Sequence, residues 1–375
     1  MKLLLSFLFT STLFFLSISQ TTLVESIQHD GMTREYRVYI PAVYDATENV
    51  PLIFNLHGYT SNAFEQENYG DFRSIADTAN FIIVHPEGTE DSFGEQWWNA
   101  FGSNQTADDV DFISTLIDSV SAEYMIDPNR IYSTGMSNGG FMSFELACSL
   151  GNRIAAVASV TGSMPVGKFT SCNAPKPTPI MQIHGTDDGT VPYNGNTSFE
   201  PIEDVVDFWV DQTNCNPTPT VTTMPDIDTG DGSTAERYLY TGGDQNTTIE
   251  HFKIQNGGHT WPGAPVDIGV TNHDIDASVE IWRFFSQYKL DNLVSVQEQK
   301  LAELFKLYPN PSEGTVHVEF DQSVDSYEVV DALGREILKN DVSKKEETIQ
   351  IDKKGVYFIQ FESDAGATTK KFIIQ

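Results

Sequence analysis

The chain has 375 residues, with 53 Asp and Glu against 22 Lys and Arg, a formal net charge of −31 of which −25 lies in the first 290 residues. So acidic a surface excludes nucleic acid, whose binding needs clustered Lys and Arg, and argues against strongly anionic polymers as substrates. The 39% hydrophobic content suffices for a packed core, and the length calls for more than one domain.

Residues 1–19 carry an early lysine, an apolar run and small residues at Ser17 and Ser19. That is the pattern of a secretory signal peptide. The apolar run is shorter than the roughly 20 residues of a membrane helix, and no later segment qualifies, so an exported chain with no membrane span is expected. Over residues 20–290, strand-like runs alternate with helical patterns. REYRVYI, PLIFNL, FIIVHP, RIYST, AAVASV and TPIMQIH read as strands. DFRSIADTAN, DDVDFISTLIDSVSAEY, the stretch after residue 137 and IEDVVDFWVDQ read as helices. In the second of these, Val110, Ile113, Ile117 and Val120 recur at helical spacing behind leading aspartates that suit a helix start. Such alternation predicts α/β architecture, a doubly wound, mostly parallel sheet covered on both faces. Ligands then bind beyond the carboxyl ends of the strands. Residues 291–304 read as a polar linker. From 305 to 375 the segments are short and β-like, separated by turn residues, which predicts a small all-β sandwich.

Of three cysteines, Cys148 lies in the apolar run SFELAC and reads as a buried thiol, whereas Cys172 and Cys215 lie in polar stretches and are the better candidates for a bridge. No Cys and His spacing suggests zinc. PDIDTGDGST has aspartates at calcium-like intervals but fails the EF-hand template and reads as a polar turn. No metal or cofactor is called for.

The sequence TGMSNGGF, directly after RIYST, places Ser137 between Gly135 and Gly139. A strand, a tight Gly-x-Ser-x-Gly turn and a helix present a serine hydroxyl as a nucleophile. The hydroxyl needs a base. His259, in the glycine-rich loop after IEHFKIQ, is the candidate. An acid must lie between them in chain order, and HGTDDGTVPY supplies Asp187 and Asp188 just past a strand end; spacing alone does not choose between the two. The oxyanion site would use the backbone N–H of Asn138 and that of Tyr59, in the loop after PLIFNLHG. His57 and His184 each precede a glycine at a strand end and read as loop-organising residues.

RVYIPAVY, PLIFNLHG, WWNAF, DPNRIYSTGMSNGGFMSFELAC, HGTDDGTVPY, GGHTWPG and DASVEIWRFF together resemble the secreted polyhydroxybutyrate depolymerase and feruloyl esterase family, α/β-hydrolases close to carbohydrate esterase family 1. The resemblance runs from about residue 34 to 286 and implies Ser137 as nucleophile, His259 as base and Asp188 as the acid. One departure is that many relatives carry cysteines near WWNAF and this chain has none, so the cleft brace they provide is not implied here. LYPNPSEGTVHVEF, DALGREI, GVYFIQF and KKFII resemble the C-terminal sorting domain of the type IX secretion system, over about 306–375. That implies the secretion machinery as a partner, passage across the outer membrane, and release or attachment at the cell surface.

Five aromatics, Tyr59, Phe64, Trp97, Trp98 and Trp261, fall in or beside the active-face loops, and Trp98 and Trp261 are the expected substrate-binding pair. The expected function is a serine esterase acting on a plant cell-wall polysaccharide ester or a polyester. The competing readings are a serine peptidase and a surface glycan-binding or adhesin protein with an inactive hydrolase domain. The intact Ser, Asp and His motifs argue against the last.

Overall fold

A computed structural model describes residues 21–102, 107–290, 305–320, 326–331, 335–342, 345–363 and 366–375. The expected signal peptide (1–19) and linker (291–304) lie outside the described residues. The chain divides into two compact units between Leu290 and Asp291.

The first unit is built on a ten-stranded sheet. Strands β1 (Thr21–His29) and β2 (Met32–Ile40) form a hairpin. Its turn residues Asp30 and Gly31 have φ of 49° and 76°, the left-handed pair that matches strand twist. The remaining strands are β3 (Val50–Leu56), β4 (Ile82–Pro86), β7 (Ile126–Met136), β8 (Ala156–Val160), β9 (Ile180–Gly185), β10 (Thr220–Thr223), β11 (Thr234–Tyr240) and β12 (Ile249–Gln255). Two short strands, β5 (Thr89–Glu90) and β6 (Gln96–Trp97), pair separately. Strand order in the large sheet is β1-β2-β4-β3-β7-β8-β9-β12-β11-β10. The six central strands, from β4 to β12 in that order, run parallel, and both margins are antiparallel.

Helices α1 (Ala63–Tyr69), α2 (Arg73–Ala79), α3 (Asp109–Glu123), α4 (Asn138–Leu150), α5 (Ile202–Gln212) and α6 (Ala277–Phe285) accompany the sheet. The central strands VPLIFNL and AVASV are buried at every position, as strands covered on both faces must be. Side chains alternate between the faces. Leu52, Phe54 and Ile131 join Phe112 of α3, Phe144 of α4 and Trp209 of α5 in one cluster, while the neighbouring Tyr132 stacks on Phe285 of α6 at 4.8 Å. Helix α3 starts on Asp108, whose side chain accepts the Asp111 N–H, and buries Phe112, Ile113, Leu116, Ile117 and Val120 along one stripe.

The cysteine pairing differs from expectation. Cys148, near the end of α4, is bridged to Cys172 with Cα atoms 5.0 Å apart, and Cys215 is a buried free thiol. Cys215 instead sits against Gly243, accepts a hydrogen bond from Thr213 Oγ1 and donates to the Thr247 carbonyl; burial pushes its pKa up. An apolar helical setting does not keep a thiol from a bridge when its partner's loop closes over the helix end.

In the second unit, strands β13 (Phe305–Tyr308), β14 (Thr315–Phe320) and β17 (Glu346–Gln350) form one antiparallel sheet. Strands β15 (Ser326–Asp331), β16 (Glu336–Asp341), β18 (Gly355–Ser363) and β19 (Gly366–Ile374) form a second. Val316, Val318 and Ile349 from the first sheet share a core with Val329, Ile359 and Phe372 from the second. Two antiparallel sheets closed on a common core make a β-sandwich.

Candidate active site

Four parallel strands deliver the candidate residues past their carboxyl ends. Strand β7 ends at Met136, and Ser137 follows with φ 53° and ψ −119°. A non-glycine residue rarely holds a positive φ, and strain of this kind collects at functional sites. Three backbone bonds hold the turn: the Ser137 N–H donates to the Val160 carbonyl at 2.8 Å, and the Ser137 carbonyl accepts from the N–H groups of Gly140 and Phe141. Position 139 must be glycine, because a Cβ there would lie 2.2 Å from the Leu56 carbonyl oxygen. The turn thus presses α4 against the end of β3.

Strand β9 delivers Asp188 and β12 delivers His259. The two loops are fastened to each other: Thr186 N–H donates to the Ile254 carbonyl and Asp187 N–H to the Gly257 carbonyl. Gly185 permits the approach, since a Cβ there would fall 2.1 Å from the Gly257 oxygen. Asp188 is the buried aspartate. Its Oδ2 lies 2.7 Å from His259 Nδ1, and its Oδ1 accepts the N–H groups of Thr190 and Val191, both at 2.8 Å. Burial works to raise this carboxyl, but hydrogen bonds from His184 and His259 outweigh it and hold it well below the usual carboxylate range. The acid therefore stays ionised, fixes the proton on His259 Nδ1, and leaves Nε2 as the proton acceptor. The Asp187 carboxylate, by contrast, has only a long contact with Thr186 Oγ1 among the described hydrogen bonds.

Ser137 and His259 line one open cleft of about 560 Å³. Among the described residues no hydrogen bond joins the Ser137 hydroxyl to His259, although both line the cleft. Tyr59 follows the end of β3 after His57 and Gly58, and Asn138 opens α4; among the described hydrogen bonds neither of their backbone N–H groups has a protein acceptor. Two unengaged donors beside the serine suit an anion.

The substrate-binding expectation for Trp98 and Trp261 is corrected. Both are fully buried, at 0% and 1% exposure, and neither lines the cleft. Each indole instead spends its N–H on the scaffold: Trp98 Nε1 donates to the His57 carbonyl at 3.0 Å, and Trp261 Nε1 to Ser278 Oγ at 3.2 Å. Trp98 is further clasped by the Asn138 side chain, whose Oδ1 accepts the Trp98 N–H at 2.6 Å while Nδ2 donates to the Trp98 carbonyl. The apolar walls come from Tyr59, Phe64, Tyr69, Met136, Val266 and Ile268. Val266 and Ile268 are 60% and 62% exposed. Large apolar side chains in a short Pro- and Gly-containing loop just past His259 were the available signal.

His57 and His184 are both fully buried. His57 Nε2 accepts the Gly88 N–H, which places its proton on Nδ1 facing the Gly58 carbonyl at 2.7 Å, and burial lowers its pKa to about 4. His57 thus braces the loop that carries Tyr59. In PDIDTGDGST, Asp228 and Asp231 accept N–H groups of Gly230 and Ser233, which caps the turn. Among the described residues no cluster of three or more His, Cys, Asp or Glu is placed to hold a metal ion, and no helix is long and apolar enough to cross a membrane.

Residues 34–174 match the family described as Esterase PHB depolymerase, and residues 306–375 match the Secretion system C-terminal sorting domain. The chain is 28% identical over 271 residues to a bifunctional acetylxylan esterase/xylanase of Neocallimastix patriciarum, covering 72% of this chain but 35% of that protein. It thus spans about a third of that relative's length. It is 28% identical over 270 residues to feruloyl esterase D of Neurospora crassa, covering 69% of this chain and 83% of the relative. Among solved structures, an acetyl xylan esterase from Aspergillus awamori superposes with a TM-score of 0.51 at 12% identity, over 70% of this chain and 99% of that one. That likeness is one of fold, and the fold is the α/β-hydrolase.

Proposed function

We propose that this chain, which carries an esterase domain of the PHB depolymerase family followed by a secretion-system C-terminal sorting domain, hydrolyses carboxylic esters outside the cell through Ser137, His259 and Asp188. The observation that carries the reading is one buried carboxylate 2.7 Å from an imidazole that shares a cleft with a strained serine.

In the acylation step the Ser137 oxygen bonds to the ester carbonyl carbon as its proton passes to His259 Nε2. Asp188 stabilises the imidazolium that forms. The carbonyl oxygen, now anionic, is met by the Asn138 and Tyr59 N–H groups. Collapse of the tetrahedral species breaks the bond to the alcohol, which leaves with the proton from His259. A water then attacks the acyl-enzyme, gives its proton to His259, and the carboxylic acid departs as the proton returns to Ser137. Nothing in this sequence needs a metal or cofactor.

The substrate class follows from the cleft. At about 560 Å³ with aromatic and aliphatic walls, it offers far more apolar surface than an acetyl group covers. Glu65 lies in the wall, and the acidic surface disfavours a second carboxylate on the acyl group. A neutral aromatic acyl group, such as feruloyl on a plant cell-wall polysaccharide, or a short aliphatic polyester segment, fits that description better than acetate. The sorting domain supports delivery to such polymers outside the cell.

The test is turnover by the exported chain on feruloyl, acetyl and hydroxybutyryl esters, beside a Ser137→Ala variant. The variant is expected to lose at least about three orders of magnitude in kcat. Turnover within tenfold of the parent ends the assignment, and a preference for acetate ends the substrate reading alone.

A further inference from the structure

Asp188 Oδ2 is approached by two imidazoles, and only one of them lines the cleft. His184, on β9, is fully buried, with Nε2 2.8 Å from the Val191 carbonyl and 3.3 Å from Asp188 Oδ2. Its tautomer is fixed by Gln182, two residues back on the same face. The Gln182 amide nitrogen donates to the Gly162 carbonyl at 2.9 Å, and a carbonyl can only accept, so the group 2.9 Å from His184 Nδ1 is that same NH2. His184 Nδ1 is therefore an acceptor and its proton sits on Nε2, shared between Val191 and Asp188.

Resting on the serine-esterase reading, we infer that His184 is a positioning residue that holds Asp188 Oδ2 toward His259 and draws off part of its charge. The carboxylate is then approached at both oxygens: Oδ1 by the Thr190 and Val191 N–H groups, and Oδ2 by His259 Nδ1 at 2.7 Å and, at the longer distance of 3.3 Å, by His184 Nε2. A carboxylate bound on both sides cannot rotate away when His259 moves toward the serine. The charge argument has a definite sign. A carboxylate that shares its charge with His184 stabilises protonated His259 less than a carboxylate bonded to His259 alone, so removing the His184 donor strengthens the affinity of His259 for a proton. The ionisable groups around His184 are Asp188 on the turn after β9, His251 and the cross-strand register partner Lys253 on β12, and Tyr193, whose ring meets it edge-on at 6.0 Å; His259 is linked to it through Asp188.

The experiment compares the full chain with His184→Leu and His184→Gln. The glutamine amide can place an N–H near the position of Nε2, and leucine cannot. In the leucine variant kcat is expected to fall about 10- to 100-fold, the range for losing one hydrogen bond to a charged group, with KM little changed. The acid limb of its pH profile should move to higher pH. The glutamine variant should recover most of kcat and the parental limb. A leucine variant with parental near-UV dichroism, kcat and acid limb overturns the inference. So does nitrogen NMR of the parent chain showing the His184 proton on Nδ1 at neutral pH, a readout that needs no variant to fold. An active Ser137→Ala chain removes the serine reading itself while leaving the His184 tautomer as measured, so the two failures are distinct.

Discussion

A single indole joins both halves of the candidate anion site. Trp98 donates from Nε1 to the His57 carbonyl, one residue before Gly58 and two before Tyr59, and its backbone is clasped by Asn138, the other donor residue. Its ring also tilts against that of His57 at 5.1 Å. Replacing it with phenylalanine removes one buried donor and leaves a carbonyl unpaired, which costs about 1–3 kcal/mol. If the loss is felt as misplacement of the Tyr59 N–H, it appears in the transition state and not in the ground state. Trp98→Phe should therefore lower kcat roughly 5- to 100-fold with KM nearly constant, read by steady-state kinetics on a feruloyl ester. A rise in KM alone would place Trp98 in substrate binding after all. The sequence could name Trp98 but not its task. Its neighbours on an active-face loop suggested a substrate platform, whereas tertiary packing, which decides where an indole points, turned it inward.

Among the elements, legibility tracked how locally each feature is encoded. The strand ends carrying Ser137, Asp188 and His259 were visible because glycines mark where backbones must nearly touch, as Gly139 does against Leu56 and Gly185 against Gly257. The central strands were visible because burial on both faces demands unbroken apolar runs. The disulfide was not, because pairing depends on a distance that residue context does not encode. The bridge links α4 to Cys172 across a separation of 24 residues, and a loop of that length stabilises by about 3.5 kcal/mol in the chain-entropy model. Reductant should accordingly lower the melting temperature of the parent and of Cys215→Ala alike. Cys172→Ala should melt at the reduced value with or without reductant. A Cys215→Ala chain that no longer responds to reductant would restore the Cys172–Cys215 pairing.

For the whole molecule, the buried histidines set how far the first unit withstands acid. His57, His85 and His251 are each lowered from 6.5 to about 4, by burial above all. Between about pH 6.5 and 4 the unfolded chain binds these three protons and the folded chain does not, so stability falls as pH drops through that window and the histidine contribution levels off below it. Each histidine accounts for roughly 3 kcal/mol at the lower end. Asp188 adds to the loss further down, since its depressed carboxyl stabilises the fold only while ionised. His85 is the informative one to remove. It sits on β4 opposite Arg37, and neither ring nitrogen has a hydrogen-bond partner among the described residues. Leucine at that site leaves no polar atom unpaired and has nothing to protonate. His85→Leu should leave activity at neutral pH in place, raise stability there by about 1 kcal/mol or more, and flatten the slope of unfolding free energy against pH by one proton, or about 1.4 kcal/mol per pH unit. Urea titrations of parent and variant at several pH values between 4 and 7 measure that slope directly. An unchanged slope would mean that His85 takes up its proton in the folded chain, and that the acid sensitivity of the unit lies with His57, His251 and the carboxylates.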